Sequence, residues 1–574
     1  MFEQNKNNIN LLILTSSVIF FFYRWYLSFN NFSEDLISRL IFESIGDGYY
    51  YFAEFKLLAD FNLNNSFYPF VENLKNITIP TGAFALHLIF YLIFGASSFI
   101  FLEFLFIILF LIIFYKISRL LEFDRVKSIT IAVILFNIPI LIELFNFDNI
   151  EYVRVIYSDF YNLRFPRPMV SNIFIFIFIL FVLKVKKKKI INKKNSLIFG
   201  CISGFTFTSL YHFFILEQLF IAFGLLYIFK FDILKKIKEN INNFFIYVVS
   251  FLIISSPVLI NMFFSEIDFL ERQGFTILDL QQKIFLLKYL YFKLLNIQFL
   301  VTFFITTILF FVVNFNKNFY KFKVINPFFI LFYVSIISPF IFILLSPTYF
   351  SFGHLFNNLI LIITFLLYFF LLCIFLNSSF EKKLFYKFSN HFSFLIILFC
   401  LCANIYQNNI NYNNNQLSND NLIKRNEFNS IVKIIKKIKT TKQDNIGLLT
   451  FDNRFIVWSI LSNIKYLNII NGVLISRKHE MIEDDLINTF KFLKLNKDNF
   501  YEFIRNRKLS YWRYRNENIK NLFWMRYQAN SLITYNNSKN FDMEVLEFIN
   551  KSSPLTSDRQ LVMPNYEIDR FLTK

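Results

Sequence analysis

The sequence predicts an all-α polytopic membrane bundle of about eleven transmembrane helices, followed by a C-terminal extracytoplasmic domain of α/β or α+β type. Three observations predict it. Apolar runs of about 16 to 22 residues recur from Ile9 to Tyr406. Lys/Arg clusters follow every second run, the densest reading KVKKKKIINKK from Lys184 to Lys194. The rhythm then stops, and a polar segment runs to Lys574. A bilayer requires about 20 apolar residues per helix, and basic residues collect in cytoplasmic loops, so their positions set the orientation.

Composition agrees, at 56% hydrophobic and 17% charged residues with a mean hydropathy of +0.47. The net charge of +19 has a sufficient cause in basic loops between spans, and no nucleic-acid partner is expected. Lys is abundant beside Asn, Ile, Phe and Tyr, all with A/T-rich codons, as a low-GC bacterial genome would give. The 86 Phe residues read first as lipid-facing filler. Cys201, Cys373, Cys400 and Cys402 all fall in or beside apolar runs, so neither a disulfide framework nor a zinc site follows.

The first run, Ile9 to Phe29, lacks a small-x-small cleavage site and reads as an uncleaved signal anchor with a cytoplasmic N-terminus. The next strong span, about 98–118, ends in Lys116 and Arg119. Between them, Ala83 to Phe94 is too short to cross comfortably. Counting it as a span would also invert every later loop, so it is expected as an interfacial or re-entrant helix on the outer face. The remaining spans are expected at about 128–144, 170–185, 196–211, 213–229, 244–264, 299–314, 327–346, 356–376 and 391–406. The inner loops then hold Lys184–Lys194, Lys230–Lys238, Lys317–Lys323 and Lys382–Lys387. Domain 1–406 is thus the membrane part, with long outer loops at 29–97, 145–169 and 265–298. An Asn-rich linker is expected at 407–421 and a soluble domain at 422–574. That domain should open with a basic amphipathic helix, Glu427 to Lys439, and a strand, Ile446 to Phe451, with helices at about 480–494 and 498–508.

The first outer loop is acidic: Glu34, Asp35, Glu43, Asp47, Glu54 and Asp60. Asp47 stands between two glycines, where the backbone can turn and present the carboxylate to a cleft. Tyr49 and Tyr50 begin an interfacial helix behind it. A loop aspartate serves equally as a solvated turn or helix N-cap. The second outer loop, Tyr152 to Met169, carries Asp159 and the arginines Arg164 and Arg167, set among Pro166 and Pro168. Arginine offers phosphate a bidentate fork, or it snorkels to lipid headgroups. His212 and His354 sit at outer ends of spans, and Glu217 lies about one turn beyond His212. An intramembrane ionisable group is a candidate for substrate, phosphate or metal contact, the rival being a hydrogen bond inside the bundle. Glu103 has the same two readings. The C-terminal stretch Tyr511 to Gln528 reads as a core helix with a basic face, or a surface for sugars or the membrane, with no reaction assigned.

Asp47 with Tyr49 and Tyr50, the Pro80–Gly82 element and the turn at Gly95 follow one span and precede another that closes on Lys/Arg. Over residues 9–170 this order resembles the GT-C superfamily of integral-membrane glycosyltransferases, such as the protein O-mannosyltransferase and aminoarabinose transferase groups. The resemblance implies a GT-C-like bundle and a polyprenyl-phosphate-linked sugar donor. It also implies an acceptor that is an envelope glycan, lipid or protein, and residence in the inner membrane. Asp47 then corresponds to the acidic residue of the first outer loop, acting as base in an inverting transfer. Asp159 corresponds to a second acidic residue, and Arg164 and Arg167 bind phosphate. No paired Asp-Glu and no WWDYG-like signature is present, which leaves donor and acceptor open. No cofactor is expected; some relatives need a divalent ion, but no D-x-D triad marks a place for one. The other functional classes are a transporter or flippase of a lipid-linked glycan, which would more often show half-repeats and broken spans, and a non-catalytic envelope scaffold.

Overall fold

A computed structural model of the chain describes residues 6–43, 52, 55–56, 58–60, 81–146, 169–188, 192–229, 240–264, 280–345, 360–379, 383–442, 446–449, 453–467 and 560–562. Its helices, in chain order, are α1 (Lys6–Asn31), α2 (Leu36–Glu43), α3 (Thr81–Phe94), α4 (Ser98–Leu120), α5 (Arg125–Leu144), α6 (Met169–Lys188), α7 (Lys193–Phe229) and α8 (Ile241–Phe264). They continue as α9 (Leu280–Leu294), α10 (Ile297–Phe315), α11 (Asn326–Leu345), α12 (Ile362–Ser379), α13 (Lys383–Asn411), α14 (Asn419–Lys442) and α15 (Asn453–Leu461). By length and composition, seven stretches among the described residues suffice to cross a membrane. The protein is a multi-pass helical membrane protein.

The helical path reverses direction at two places among the described residues. Within α7, Thr206 Oγ1 lies 2.9 Å from Glu217 Oε1, and Gln218 Nε2 lies 3.5 Å from Ser203 Oγ. A straight helix would put residues 15 apart about 22 Å from one another along its axis. The pairs 203/218, 206/217 and 207/214 share nearly one midpoint, close to Tyr211. So α7 is a helical hairpin whose two arms each run about 27 Å, close to the bilayer core thickness. The second reversal lies at Gly95, whose φ of +56° is the left-handed conformation that glycine adopts without penalty. It folds α3 back on α4, bringing the His87 ring 5.6 Å from Phe106. Helix α3 also meets α7. A Cβ on Gly82 would fall 2.1 Å from Thr208 Oγ1 and 2.8 Å from the Phe205 carbonyl, so only glycine permits this approach.

The helices share one large apolar core, with Phe106, Phe110, Phe114, Phe176, Phe178 and Phe332 almost wholly buried. Other phenylalanines face outward, among them Phe304, Phe311 and Phe315 of α10, as a lipid-facing surface requires. A second core contains Phe52, Phe55, Phe84, Phe428 and the α15 residues Phe455 to Trp458. Helix α3 lies between the two cores: Ala83, Leu86 and Phe90 join the first, Phe84, Leu88 and Tyr91 the second.

The bundle has two chemically different ends. At one, Lys127 donates to the Asn377 side chain (2.6 Å), and Lys186 to the Lys323 carbonyl (2.9 Å), where Lys317, Lys321 and Lys323 gather. At the other, Glu143 in the last turn of α5 accepts from Asn411 at the end of α13 (3.0 Å). The Asn-rich stretch expected as a linker is helical here: α13 continues to Asn411 and a π-turn spans Tyr412–Gln416. After α14, strands β1 (Ile446–Leu449), β2 (Lys465–Leu467) and β3 (Gln560–Val562) pair in parallel in the order β2-β1-β3, with α15 between β1 and β2. The expected helices at 480–494 and 498–508, and the stretch Tyr511 to Gln528, lie outside the described residues.

The α7 reversal is directly testable. With the four native cysteines replaced, a Ser203→Cys/Gln218→Cys variant should be joined by a short bifunctional thiol reagent, giving a linked peptide by mass spectrometry. A straight α7 would leave the two thiols unlinked.

Candidate functional site

The most highly charged buried place among the described residues is the junction of α2 with α14. Its construction begins at the α1–α2 turn. Asp35 caps α2, its Oδ1 accepting from the Ser38 backbone N–H at 3.0 Å. Glu34 precedes the cap and Glu43 closes the helix, so the two ends of α2 both carry carboxylates. On α14, Phe428, Val432 and Ile435 form the buried stripe, and Arg425 extends it at helical spacing with 1% exposure. Its guanidinium donates from Nη2 to Glu34 Oε1 (2.8 Å) and Glu43 Oε1 (2.9 Å), from Nε to Glu34 Oε1 (3.1 Å), and from Nη1 to Gln416 Oε1 (3.0 Å). The Phe32 ring lies 3.6 Å from its Cζ, a cation–π contact.

Every charge in this cluster is answered. Asn429 donates to Glu34 Oε2 (2.9 Å) and Tyr412 to Glu43 Oε1 (3.2 Å). Arg39, also buried, donates to the carbonyls of Ser28 and Phe32 and faces both glutamates. Burial lowers the Arg39 guanidinium from its ordinary value, and Glu34 and Glu43 oppose that change. Two buried carboxylates thus balance two buried guanidinia, which makes this a fastening and no source of a free base. Nearer the surface, Asp35 pairs with Lys436. Burial would raise the Asp35 carboxyl, but hydrogen bonds from Lys436 and Ser38 outweigh it and hold it below its ordinary value.

A second polar group lies inside the bundle, between the arms of α7 and helix α8. Glu217 is fully buried with Oε1 on Thr206, and Tyr247 of α8 donates to Gln218 Oε1 (2.7 Å) and lies 3.3 Å from Ser203 Oγ. Both Glu217 and Glu103 make a hydrogen bond within the bundle. Glu103 accepts from Trp25 Nε1 at 3.1 Å. His212 belongs to α7 near the reversal, its side chain outside the described residues. Asp47, Tyr49, Tyr50, Asp159, Arg164, Arg167 and His354 also lie outside them. Among the described residues no group of three or more His, Cys, Asp or Glu could hold a metal ion.

Two described glutamates precede the segments that carry Asp47 and Asp159. Glu43, four residues before Asp47, is held by Tyr412; Glu143, in the last turn before the loop that carries Asp159, is held by Asn411. Those two partners are consecutive in the chain. Sequence reasoning missed Arg425. Its signal was available, since a charged residue on the apolar stripe of an amphipathic helix needs a buried partner.

No family model matches the chain, and no curated protein sequence matches it.

The fastening has two tests. Arg425→Met leaves two buried glutamates with Arg39 alone to balance them and should cost about 3–5 kcal/mol of stability, read from denaturant unfolding of the purified protein. Asp35→Asn removes only a half-exposed pair and should cost less than about 1 kcal/mol at neutral pH. Because the folded Asp35 carboxyl lies below its unfolded value, its contribution is present above the ordinary carboxylate range. It is lost as pH falls through the folded value, so the difference between wild type and Asp35→Asn should vanish in acid.

Proposed function

We propose that the protein is a membrane glycosyltransferase of GT-C type, moving a sugar from a polyprenyl-phosphate-linked donor to an envelope glycan, lipid or protein. The observation that carries this reading is that Glu43 and Glu143, which precede the two acidic segments, are bonded to the consecutive residues Tyr412 and Asn411. It supports a site in which Asp47 and Asp159 serve one sugar-sized ligand. Arg164 and Arg167 follow Asp159 and lead into α6, which suits them to the donor phosphate.

In this reading Asp47 takes the proton of the acceptor hydroxyl as its oxygen attacks the anomeric carbon in line. The bond from that carbon to the phosphate oxygen breaks, the anomeric configuration inverts, and lipid phosphate leaves. Charge developing on that oxygen is met by the guanidinia.

The membrane arrangement proposed with it has eleven crossings: α1, α4, α5, α6, the two arms of α7, α8, α10, α11, α12 and α13. The lysine-rich end is cytoplasmic by the positive-inside rule, which places α2, α14 and the C-terminal segment outside the cytoplasmic membrane. That segment is proposed as an α/β domain, supported by the parallel β2-β1-β3 strands around α15.

Transfer from a panel of polyprenyl-phosphate sugars in reconstituted membranes tests the chemistry. Asp47→Asn keeps the shape and loses the proton acceptor, with an expected loss of about 10²- to 10⁴-fold in rate. Arg167→Ala should instead weaken donor binding. Full activity in Asp47→Asn would remove the base assignment. Inactivity of the wild type on every donor would favour a flippase.

A further inference from the structure

Glu217 presents a charge problem that the transferase reading leaves unused. Its side chain is fully buried in the α7 hairpin, and its Oε2 has no hydrogen-bond partner among the described residues. A lone carboxylate in such a place is costly by several kcal/mol. No lysine or arginine among the described residues pairs with it. The titratable group facing it is Tyr247 of α8, whose hydroxyl proton already serves Gln218. Of the other helices against α7, α3 brings His87, which packs among Phe55, Phe99 and Phe106. The α6 lysines stand at its Lys184–Lys188 end, and Tyr333 of α11 is bonded to Thr307.

Proton counting sharpens the point. Thr206 Oγ1 lies 2.9 Å from Glu217 Oε1 and 2.9 Å from the Ile202 carbonyl, and a hydroxyl has one proton for two acceptors. If that proton stays on Ile202, the usual habit of threonine inside a helix, Glu217 must supply the proton of the shared bond. The neighbouring oxygens are Ser203 Oγ, Thr206 Oγ1, Gln218 Oε1 and Tyr247 OH, and the Gln218 amide nitrogen lies 3.5 Å from Ser203 Oγ. One carboxylate balances one positive charge, so a divalent ion would leave a net charge buried.

We propose that the α7 hairpin and α8 build an intramembrane monocation site centred on Glu217, occupied by a proton or by sodium in its place. The site stands independently of the transferase reading.

Infrared spectroscopy of the full-length purified protein in lipid nanodiscs at neutral pH tests it. In choline chloride, free of sodium and potassium, the wild type should show one carboxylic-acid C=O band that Glu217→Gln lacks. Replacing choline with sodium then separates the occupants: loss of the band identifies sodium displacing the proton, and its persistence identifies a proton alone. Absence of any band difference in choline overturns the proposal, because the carboxylate would be ionised with neither cation. If Glu217→Gln does not fold, Thr206→Val carries the test. Removing the hydroxyl should move the band to higher frequency, and an unmoved band overturns the proposal.

Discussion

The Arg425 guanidinium, held between Glu34 and Glu43, is the contact on which the arrangement of this protein depends. It joins residues nearly 400 positions apart and excludes water from both partners. A buried ion pair need not add net stability, because desolvation offsets much of the attraction. What it adds here is uniqueness. Two carboxylates at the two ends of one short helix accept from a single planar fork, so α2 has one position against α14 in which all are satisfied. Gln416, Asn429 and Tyr412 add further hydrogen bonds to the cluster.

Polar groups inside the bundle follow the same logic on a smaller scale. Asn137 of α5 and Asn404 of α13 bond at 3.1 Å, and Trp25 of α1 reaches Glu103 of α4. In lipid, where apolar side chains gain little by leaving the tails for each other, such contacts and close packing set helix neighbours. Phenylalanine does the filling on both sides, buried in α4 and α6 and outward in α10. Its abundance therefore says little about any one position.

Much of the architecture was legible because bilayer thickness imposes a period on the sequence. A helix over residues 83–94 was readable from its apolar run, and the structure sets α3 between the two apolar cores with its reversal at Gly95. The turn expected between the runs 196–211 and 213–229 falls where α7 folds back. The Asn-rich stretch 407–421 misled for a physical reason. Asparagine is a poor helix former in isolation, yet here its amides are consumed by Asn404, Glu143 and Gln416. Arg425 escaped notice because its partners lie in a distant loop. Periodicity shows which face of a helix is buried but not what waits there. The candidate residues Asp47, Asp159, Arg164 and Arg167 were chosen from loop chemistry, and only their anchors, Glu43 and Glu143, fall within the described residues.

The proposed arrangement sets the Arg425 end and the lysine-rich end on opposite faces of the membrane. Asn415, beside the fastening, and Asn192, ahead of α7, are both exposed and stand at the two ends. Single cysteines at Asn415→Cys and Asn192→Cys, in a background without the native four, should be labelled by an impermeant thiol reagent from opposite faces of intact cells and inverted vesicles. Labelling of both from the same face would contradict the account.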